Sequence, residues 1–115
     1  MTASEDVPVY LRLRTNVVAA ILRGEIRAGD QLPSVRALAA EHRANPLTVA
    51  KAYQSFQDEG DVEVRRGVGM FVLPGAAERL RLSERDRFVR HTWPRIRDQM
   101  DLLGLAPGEL LEERA

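Results

Sequence analysis

Apolar residues recur at helical spacing along the first part of the chain. Pro8 can open a helix, because it lacks a donor that the first turn leaves unpaired anyway, and we predict a helix over residues 8–23. Its apolar positions are Tyr10, Leu13, Val17, Val18 and Ile21. Gly24 follows, the residue type that commonly ends a helix in the left-handed conformation. A stretch with turn residues then leaves room for a very short strand at Gln31–Leu32.

Two shorter helices come next, separated by three residues. Ser34 is the predicted N-cap of a helix over Val35–His42. Asn45 caps and Pro46 opens a third helix, which we predict to run to Glu59. Two short helices joined by a turn of this length are typical of the helix-turn-helix unit, although any small helical bundle produces the same spacing.

The third helix divides into two faces at about 100° per residue. The residues of one face are apolar and are predicted to be buried: Val49, Ala52, Tyr53 and Phe56. The opposite face is predicted to be exposed, with the candidate base-reading residues at its N-terminal end, because a recognition helix reads bases mainly from there. These candidates are Asn45, Leu47, Thr48 and Lys51, and the resemblance described below adds Pro46.

After Gly60 the hydrophobic period changes from 3.6 to 2, which predicts a β-hairpin. Its alternating apolar residues are Val62, Val64, Met70 and Val72. A hairpin directly after a helix-turn-helix is the winged-helix arrangement. The tip, residues 65–69, carries Arg65 and Arg66, where the phosphate backbone or a narrow minor groove can be reached.

The pattern of apolar and polar positions over residues 75–115 predicts a helical tail. Ser83, with Asp86 three residues later, resembles a capping box and predicts a helix start. Pro107 begins a short last helix that is predicted to extend through Arg114.

The tail also carries apolar residues at heptad-like spacing. A seam of this kind favours the pairing of two chains, although a tail that folds back on its own first helix is the alternative. The seam comprises Leu82, Val89, Trp93, Ile96, Met100 and Leu103. Pro94 interrupts it, and because a proline inside a helix costs about 3 kcal/mol or more, we expect a kink or a break there.

Composition narrows the chemistry further. The 115 residues carry a net charge of +0, and residues 1–75 and 76–115 are each neutral. DNA contact therefore has to come from locally placed charge.

The chain has no cysteine, which removes disulfides, thiolate zinc sites and cysteine nucleophiles. With no apolar run near the length of a membrane span and no export signal over Met1–Val9, a cytoplasmic protein is expected.

No catalytic constellation is visible in the sequence. His42 and His91 stand apart, and the glycines of the hairpin tip do not open a helix as a nucleotide-binding loop would. We therefore expect no enzyme, no cofactor and no metal. A metal or small-molecule site in the tail stays open as an alternative, for instance through Asp86, His91 and Asp98 across a dimer.

Five stretches, in this order and spacing, resemble the DNA-binding domain of the GntR family of bacterial transcription regulators. They are Pro8–Leu11, Gly29–Ala39, Asn45–Val49, Ala52–Tyr53 and Arg65–Val72. The resemblance covers about residues 8–73 and implies a winged-helix fold that binds DNA as a dimer. It places the DNA-binding domain at residues 8–74. The short remainder, residues 75–115, resembles the YtrA-type branch, whose extra helices serve dimerisation.

By position, the resemblance implies that Arg36 contacts phosphate or a base and that Arg66 and Gly67 form the wing contact. The complete set of candidate DNA-binding residues is Ser34, Arg36, Asn45, Pro46, Leu47, Thr48, Lys51, Arg65, Arg66 and Gly67. The expected function is a sequence-specific regulator, most often a repressor, whose homodimer binds a near-palindromic operator on double-stranded DNA. The alternative class is a winged helix used as a protein-interaction module.

Three positions depart from the family pattern. His42-Arg43-Ala44 stands where a Leu-Gly-Val type of turn is frequent, and Asp61 replaces the usual apolar residue after Gly60. Both changes are expected to loosen local packing. Leu47 replaces a polar residue that related short members usually carry, so their base preference does not carry over to this chain.

Overall fold

The computed structural model describes residues 8–112 and contains six α-helices and one β-hairpin in that range. In chain order these are α1 (Val9–Leu22), α2 (Val35–His42), α3 (Pro46–Asp58), β1 (Val62–Arg65), β2 (Gly69–Val72), α4 (Ala76–Arg87), α5 (Trp93–Leu103) and α6 (Pro107–Glu112). A π-helical segment, Phe88–Thr92, separates α4 from α5. The mainly α fold with a small hairpin is confirmed. Arg114, in the predicted last helix, lies outside the described residues.

The chain divides into two compact units, and the division falls inside α4 between Arg81 and Leu82. The first unit, here the winged-helix unit, therefore includes the start of α4 in addition to the residues assigned to it from the sequence. The second unit, here the tail unit, begins at Leu82. Each unit is described separately below.

The core of the winged-helix unit forms where α1, α3 and the hairpin present their apolar residues. The predicted inner face of α3 is confirmed, since its four residues are between 0% and 1% exposed. The buried cluster consists of Leu13, Val17, Val18, Ile21, Leu32, Leu38, Ala39, Val49, Ala52, Tyr53, Phe56, Val62, Val72, Ala76 and Leu80. A single core of this kind holds the helix-turn-helix and the hairpin together.

The hairpin pairs antiparallel, from Val62 opposite Val72 to Arg65 opposite Gly69. A third segment lies beside β2, because the N–H of Leu32 donates to the carbonyl of Met70 at 2.8 Å and Gln31 forms a β-bridge with Phe71. In place of the predicted short strand at Gln31–Leu32, the structure has this isolated bridge beside a two-stranded sheet. It attaches the hairpin to the segment that leads into α2.

The predicted helix start at Ser83 is wrong. α4 begins seven residues earlier, at Ala76, and Ser83 lies inside it. Ala76 and Leu80 are each 1% exposed, so burial of this first turn and a half stabilises the earlier start. Asp86 forms an ion pair with Arg90 at 2.8 Å instead of capping a helix.

The expected loosening at Asp61 is also wrong. Asp61 is 3% exposed, and its carboxylate accepts a hydrogen bond from Nε of Arg79 at 3.1 Å. Arg79 also donates to the carbonyls of Gly60 and Pro74, each at 3.0 Å. Burial raises the pKa of Asp61, and the hydrogen bond and charge of Arg79 oppose that rise. One arginine of α4 therefore accommodates the polar departure after Gly60.

The tail unit shows how the helix passes Pro94. The N–H of Trp93 bonds to the carbonyl of Phe88, five residues back, and Pro94 then stands in the first turn of α5, where its missing donor does no harm. The backbone stays helical from Ala76 to Leu103, so the helix does not break at Pro94, and the π-type turn accommodates the proline instead. Because the π-type turn changes the spacing, the heptad-like seam is not one continuous stripe. Met100, predicted for that seam, is only 6% exposed.

Candidate nucleic-acid interface

Side-chain caps fix both helices of the helix-turn-helix. The hydroxyl oxygen of Ser34 accepts from the N–H of Ala37 at 3.1 Å, and Oδ1 of Asn45 accepts from the N–H of Leu47 at 2.8 Å. Each oxygen satisfies a helix-end donor that would otherwise be unpaired. Both predicted N-caps are confirmed. The cap leaves the amide N–H₂ of Asn45, which is exposed, available to an outside acceptor.

Tyr53 joins α3 to the start of α2. Its hydroxyl donates to the carbonyl of Pro33 at 2.7 Å. Burial, together with the negative charge of Glu41, raises the pKa of Tyr53 to about 12, so the group stays a neutral donor. The bond fixes the position of α2, and with it the exposed Arg36, relative to α3.

The N-terminal end of α3 is directed outward. Asn45, Pro46 and Leu47 are exposed, and Leu47 keeps 78% of its surface accessible. Thr48 is half-buried. The acidic residues Asp58 and Glu59 lie at the opposite end of the helix. The structure therefore brings four predicted base-reading residues together at one helix end.

Lys51 is not part of that group. Its Nζ lies 4.3 Å from the centre of the Tyr10 ring, a cation–π contact between α3 and α1. Ala50, which the sequence reasoning did not single out, is exposed one turn after Leu47. The contact joins residues 41 positions apart, so the hydrophobic period of α3 alone could not have predicted it.

The two arginines of the wing occupy different environments. Arg65 belongs to β1, where its guanidinium lies 4.0 Å from the centre of the Phe71 ring and 3.4 Å from Oε1 of Glu63. Arg66 is exposed at the tip and has no ion pair or side-chain hydrogen bond with any residue in the described range. Gly67 has a φ of 79°, a conformation that glycine adopts at no steric cost. Arg66 is thus the wing residue that is available for an external contact.

Gln31 holds the wing, and sequence reasoning missed this role. Its Nε2 donates to the carbonyl of Val68 at 2.8 Å. A side chain at position 69 would displace the amide of Gln31, and the φ of 145° at this position also favours glycine. The signal available in the sequence was a polar residue next to Leu32 in a predicted strand.

Local positive charge exists despite the neutral total. Arg36, Arg43 and Arg66 are exposed, and none pairs with an acidic side chain within residues 8–112. In contrast, Arg14 pairs with Glu59 at 2.8 Å, and Arg79 pairs with Asp61. Exposed cations without an acidic partner in the described residues are what a contact with phosphate requires.

Other kinds of site find no support in the described residues. No group of three or more His, Asp or Glu side chains there is placed to hold a metal ion. No described helix is long and apolar enough to cross a membrane.

Comparisons with known proteins agree with this geometry. The model for "Bacterial regulatory proteins, gntR family" matches residues 9–72. The HTH-type transcriptional regulator YhcF of Bacillus subtilis is 35% identical over 107 residues, which cover 91% of this chain and 85% of that protein. The HTH-type transcriptional repressor YtrA of the same organism is 40% identical over 71 residues, 62% of this chain and 55% of that protein.

A solved structure agrees over nearly the whole chain. A transcriptional regulator from Oenococcus oeni has a TM-score of 0.68 and 28% identity, with 98% of this chain and 92% of that chain covered. The family match lies over α1 to β2, which are the elements that build the helix-turn-helix and the wing. The chain is a helix-turn-helix transcriptional regulator that belongs to the GntR family.

Proposed function

We propose that this regulator binds a near-palindromic operator as a homodimer and acts as a repressor, with the tail unit as the dimerisation element. Each chain inserts the N-terminal end of α3 into a major groove and sets the wing against the backbone. A twofold dimer would present two such helices about one helical turn of DNA, or a multiple of it, apart.

One observation carries the DNA-binding part of this proposal. The end of α3 that begins at Asn45 is exposed and fixed by a cap, while the inner face of the same helix is buried. A helix held in this way can enter a groove without rearrangement of the core. Arg36 and Arg66, which are exposed on either side in sequence, would then supply backbone affinity, and residues 45–48 would supply sequence preference.

The remaining candidate residues contribute to DNA binding in different ways. Ser34 acts through its cap at the start of α2, and Gly67 acts through the turn of the wing. Arg65 and Lys51 already contact aromatic rings of their own chain, so we expect smaller contributions from them. Arg66 is the residue on which the wing contact depends.

Exposed apolar side chains support the dimer. Among the described residues, eight of the twelve large apolar side chains that remain exposed lie in the tail unit. They are Leu82, Phe88, Val89, Ile96, Leu102, Leu103, Leu110 and Leu111. Soluble proteins rarely leave such a concentration uncovered, and a second copy of the same chain can cover it symmetrically. Within this set we assign the dimer contact to Phe88 and to four residues of the predicted seam, and we place Leu102 outside it. The four seam residues are Leu82, Val89, Ile96 and Leu103.

Selection of duplexes from a random pool with the full chain tests the proposal directly. We expect one enriched motif with two inverted half-sites and a complex of two chains per duplex. An Arg66→Ala variant should weaken binding to all sequences and reduce the slope of log K against log salt by about one per chain.

Arg23→Ala is the matched control, because Arg23 is an exposed arginine at the far end of α1. It should leave the salt slope unchanged. Enrichment of no motif would contradict operator binding, and a motif without inverted symmetry, bound by one chain, would contradict the dimer.

A further inference from the structure

We propose that α3 recognises the C5-methyl groups of thymine through an apolar strip formed by Leu47 and Ala50. This inference rests on the proposed function, because it names the feature of the operator that the exposed end of α3 selects. The thymine methyl group is apolar, so an amide, a hydroxyl or a lysine side chain would not recognise it as an apolar side chain does.

The helix geometry places the strip outward. Leu47 and Ala50 are three residues apart and therefore share a face of α3. Leu47 is 78% exposed, and Ala50 is exposed as well. Val49 and Phe56, each 0% exposed, fill the core on the opposite side. The strip is thus an apolar surface that the fold itself does not use.

Some polar side chains beside the strip are engaged within the chain, whereas the exposed amide N–H₂ of Asn45 stays available. Lys51 lies over the ring of Tyr10 on α1, and Thr48 is half-buried. Oδ1 of Asn45 is occupied by the N–H of Leu47. Residues 46–50 contain no charged side chain. The exposed side chains of residues 46–50 are consequently apolar, because they are those of Pro46, Leu47 and Ala50.

Major-groove chemistry then selects the base. The edges of guanine, cytosine and adenine offer hydrogen-bond donors and acceptors there, and thymine adds a methyl group. A leucine against a purely polar edge removes water without replacing its hydrogen bonds, which is unfavourable. Against a thymine methyl group it buries apolar surface from both partners, which is favourable. The strip therefore favours thymine.

Replacement of single thymines by deoxyuridine in the selected operator tests the inference with the full chain. Uracil keeps every donor and acceptor of thymine and lacks only the methyl group. We expect one or two positions in each half-site at which the replacement weakens binding by about 3- to 10-fold. Leu47→Ala should bind the thymine and uracil operators with equal affinity at those positions.

Two further variants isolate the apolar contact. Leu47→Met retains an apolar side chain and should retain the sensitivity to the methyl group. Val9→Ala is the control, since Val9 is a 40% exposed apolar residue at the start of α1, outside the proposed DNA and dimer contacts. It should behave as the wild-type chain. Unfolding midpoints of all three variants, followed by circular dichroism, establish that each is folded.

The outcomes separate this inference from the function on which it rests. If the chain binds its operator and no thymine position responds to uracil, the inference is wrong and operator binding stands. The same holds if Leu47→Ala responds as strongly as the wild-type chain. If no sequence is enriched at all, the proposed function fails, and thymine recognition fails with it.

Discussion

The winged-helix unit and the tail unit differ in how much of their apolar surface they bury by themselves. The first unit has fifteen residues in one buried cluster. Among the described residues of the tail unit, Met100 alone is buried, and eight large apolar side chains stay exposed. The first unit thus has a core of its own, whereas the second has a surface that suits a partner. We therefore expect substitutions in the core of the first unit to change the stability of the single chain, and substitutions on the exposed surface of the tail unit to change dimerisation.

The largest effect is expected from the core of the winged-helix unit. Phe56→Ala should lower the free energy of unfolding by about 3–5 kcal/mol, because it removes a large side chain that is 0% exposed and leaves a cavity. Denaturant unfolding followed by far-ultraviolet circular dichroism measures the loss, which should not depend on protein concentration.

The single tryptophan, Trp93, lies in the tail unit and gives a separate signal. Phe56→Ala should shift the circular dichroism transition more than the transition in Trp93 fluorescence. Leu102→Ala, on the exposed surface of the tail, should stay within about 0.5 kcal/mol of the wild-type value. Coincident shifts by both probes would mean that the two units unfold as one, and the contrast between them would not hold.

The next effect concerns the ion pair that stabilises the start of α4. Arg79→Ala should cost about 1–2 kcal/mol, a range reduced for solvent screening because the Arg79 side chain is 46% exposed. The loss arises because the carboxylate of Asp61 stays buried without its donor. Denaturant unfolding at several pH values measures it, with Arg81→Ala as the matched control on the same helix.

The pH dependence of this loss has a defined sign. Burial already raises the pKa of Asp61, and removal of Arg79 takes away the contribution that lowers it. When the pKa of a carboxyl group is raised in the folded state, the free energy of unfolding of the protein falls as pH increases through that pKa. The deficit of Arg79→Ala should therefore be full near neutral pH and shrink as pH falls toward about 4. A deficit that is constant with pH would show that Arg79 acts through packing alone.

Assembly is tested by two neighbouring leucines of α5. Leu103→Glu should weaken the dimer by about tenfold or more, because it introduces an unpaired charge into the proposed seam. Leu102→Glu places the same charge one residue earlier, outside that seam, and should leave the dimer intact. Sedimentation equilibrium over a range of concentrations measures both. Equal dissociation by the two variants would indicate an interface other than the predicted seam.

Features that depend on neighbours in sequence were predictable. Ser34 and Asn45 cap their helices through backbone groups only two or three residues away, so the residue type and its position are sufficient. The inner face of α3 follows from the period of one helix. The exposed position of Asn45, Pro46 and Leu47 follows from the same period, because the core face leaves the other side to solvent.

Features that depend on distant partners were not predictable. Lys51 turns toward Tyr10 on another helix, and Asp61 is compensated by Arg79, eighteen residues later. α4 starts at Ala76 because the core of the winged-helix unit buries Ala76 and Leu80, and that burial decides against the local capping signal at Ser83. Arg65 and Arg66 are adjacent and identical in type, and the contact of Arg65 with Phe71 across the hairpin distinguishes them.

The smallest effect is a gain in stability within the helix-turn-helix. Arg43 ends α2 with a φ of 52° and a ψ of 43°, and it is the one residue other than glycine with a positive φ in the described range. The left-handed conformation costs a residue with a side chain about 1–2 kcal/mol, whereas glycine adopts it freely. Arg43→Gly should therefore stabilise the winged-helix unit by about 1 kcal/mol, less the greater entropy that glycine has when unfolded. Denaturant unfolding measures the gain, and Arg43→Ala, which removes the same charge but keeps a Cβ, should show none. Equal stabilisation by both variants would mean that the gain comes from removal of the Arg43 charge and not from relief of the left-handed backbone conformation.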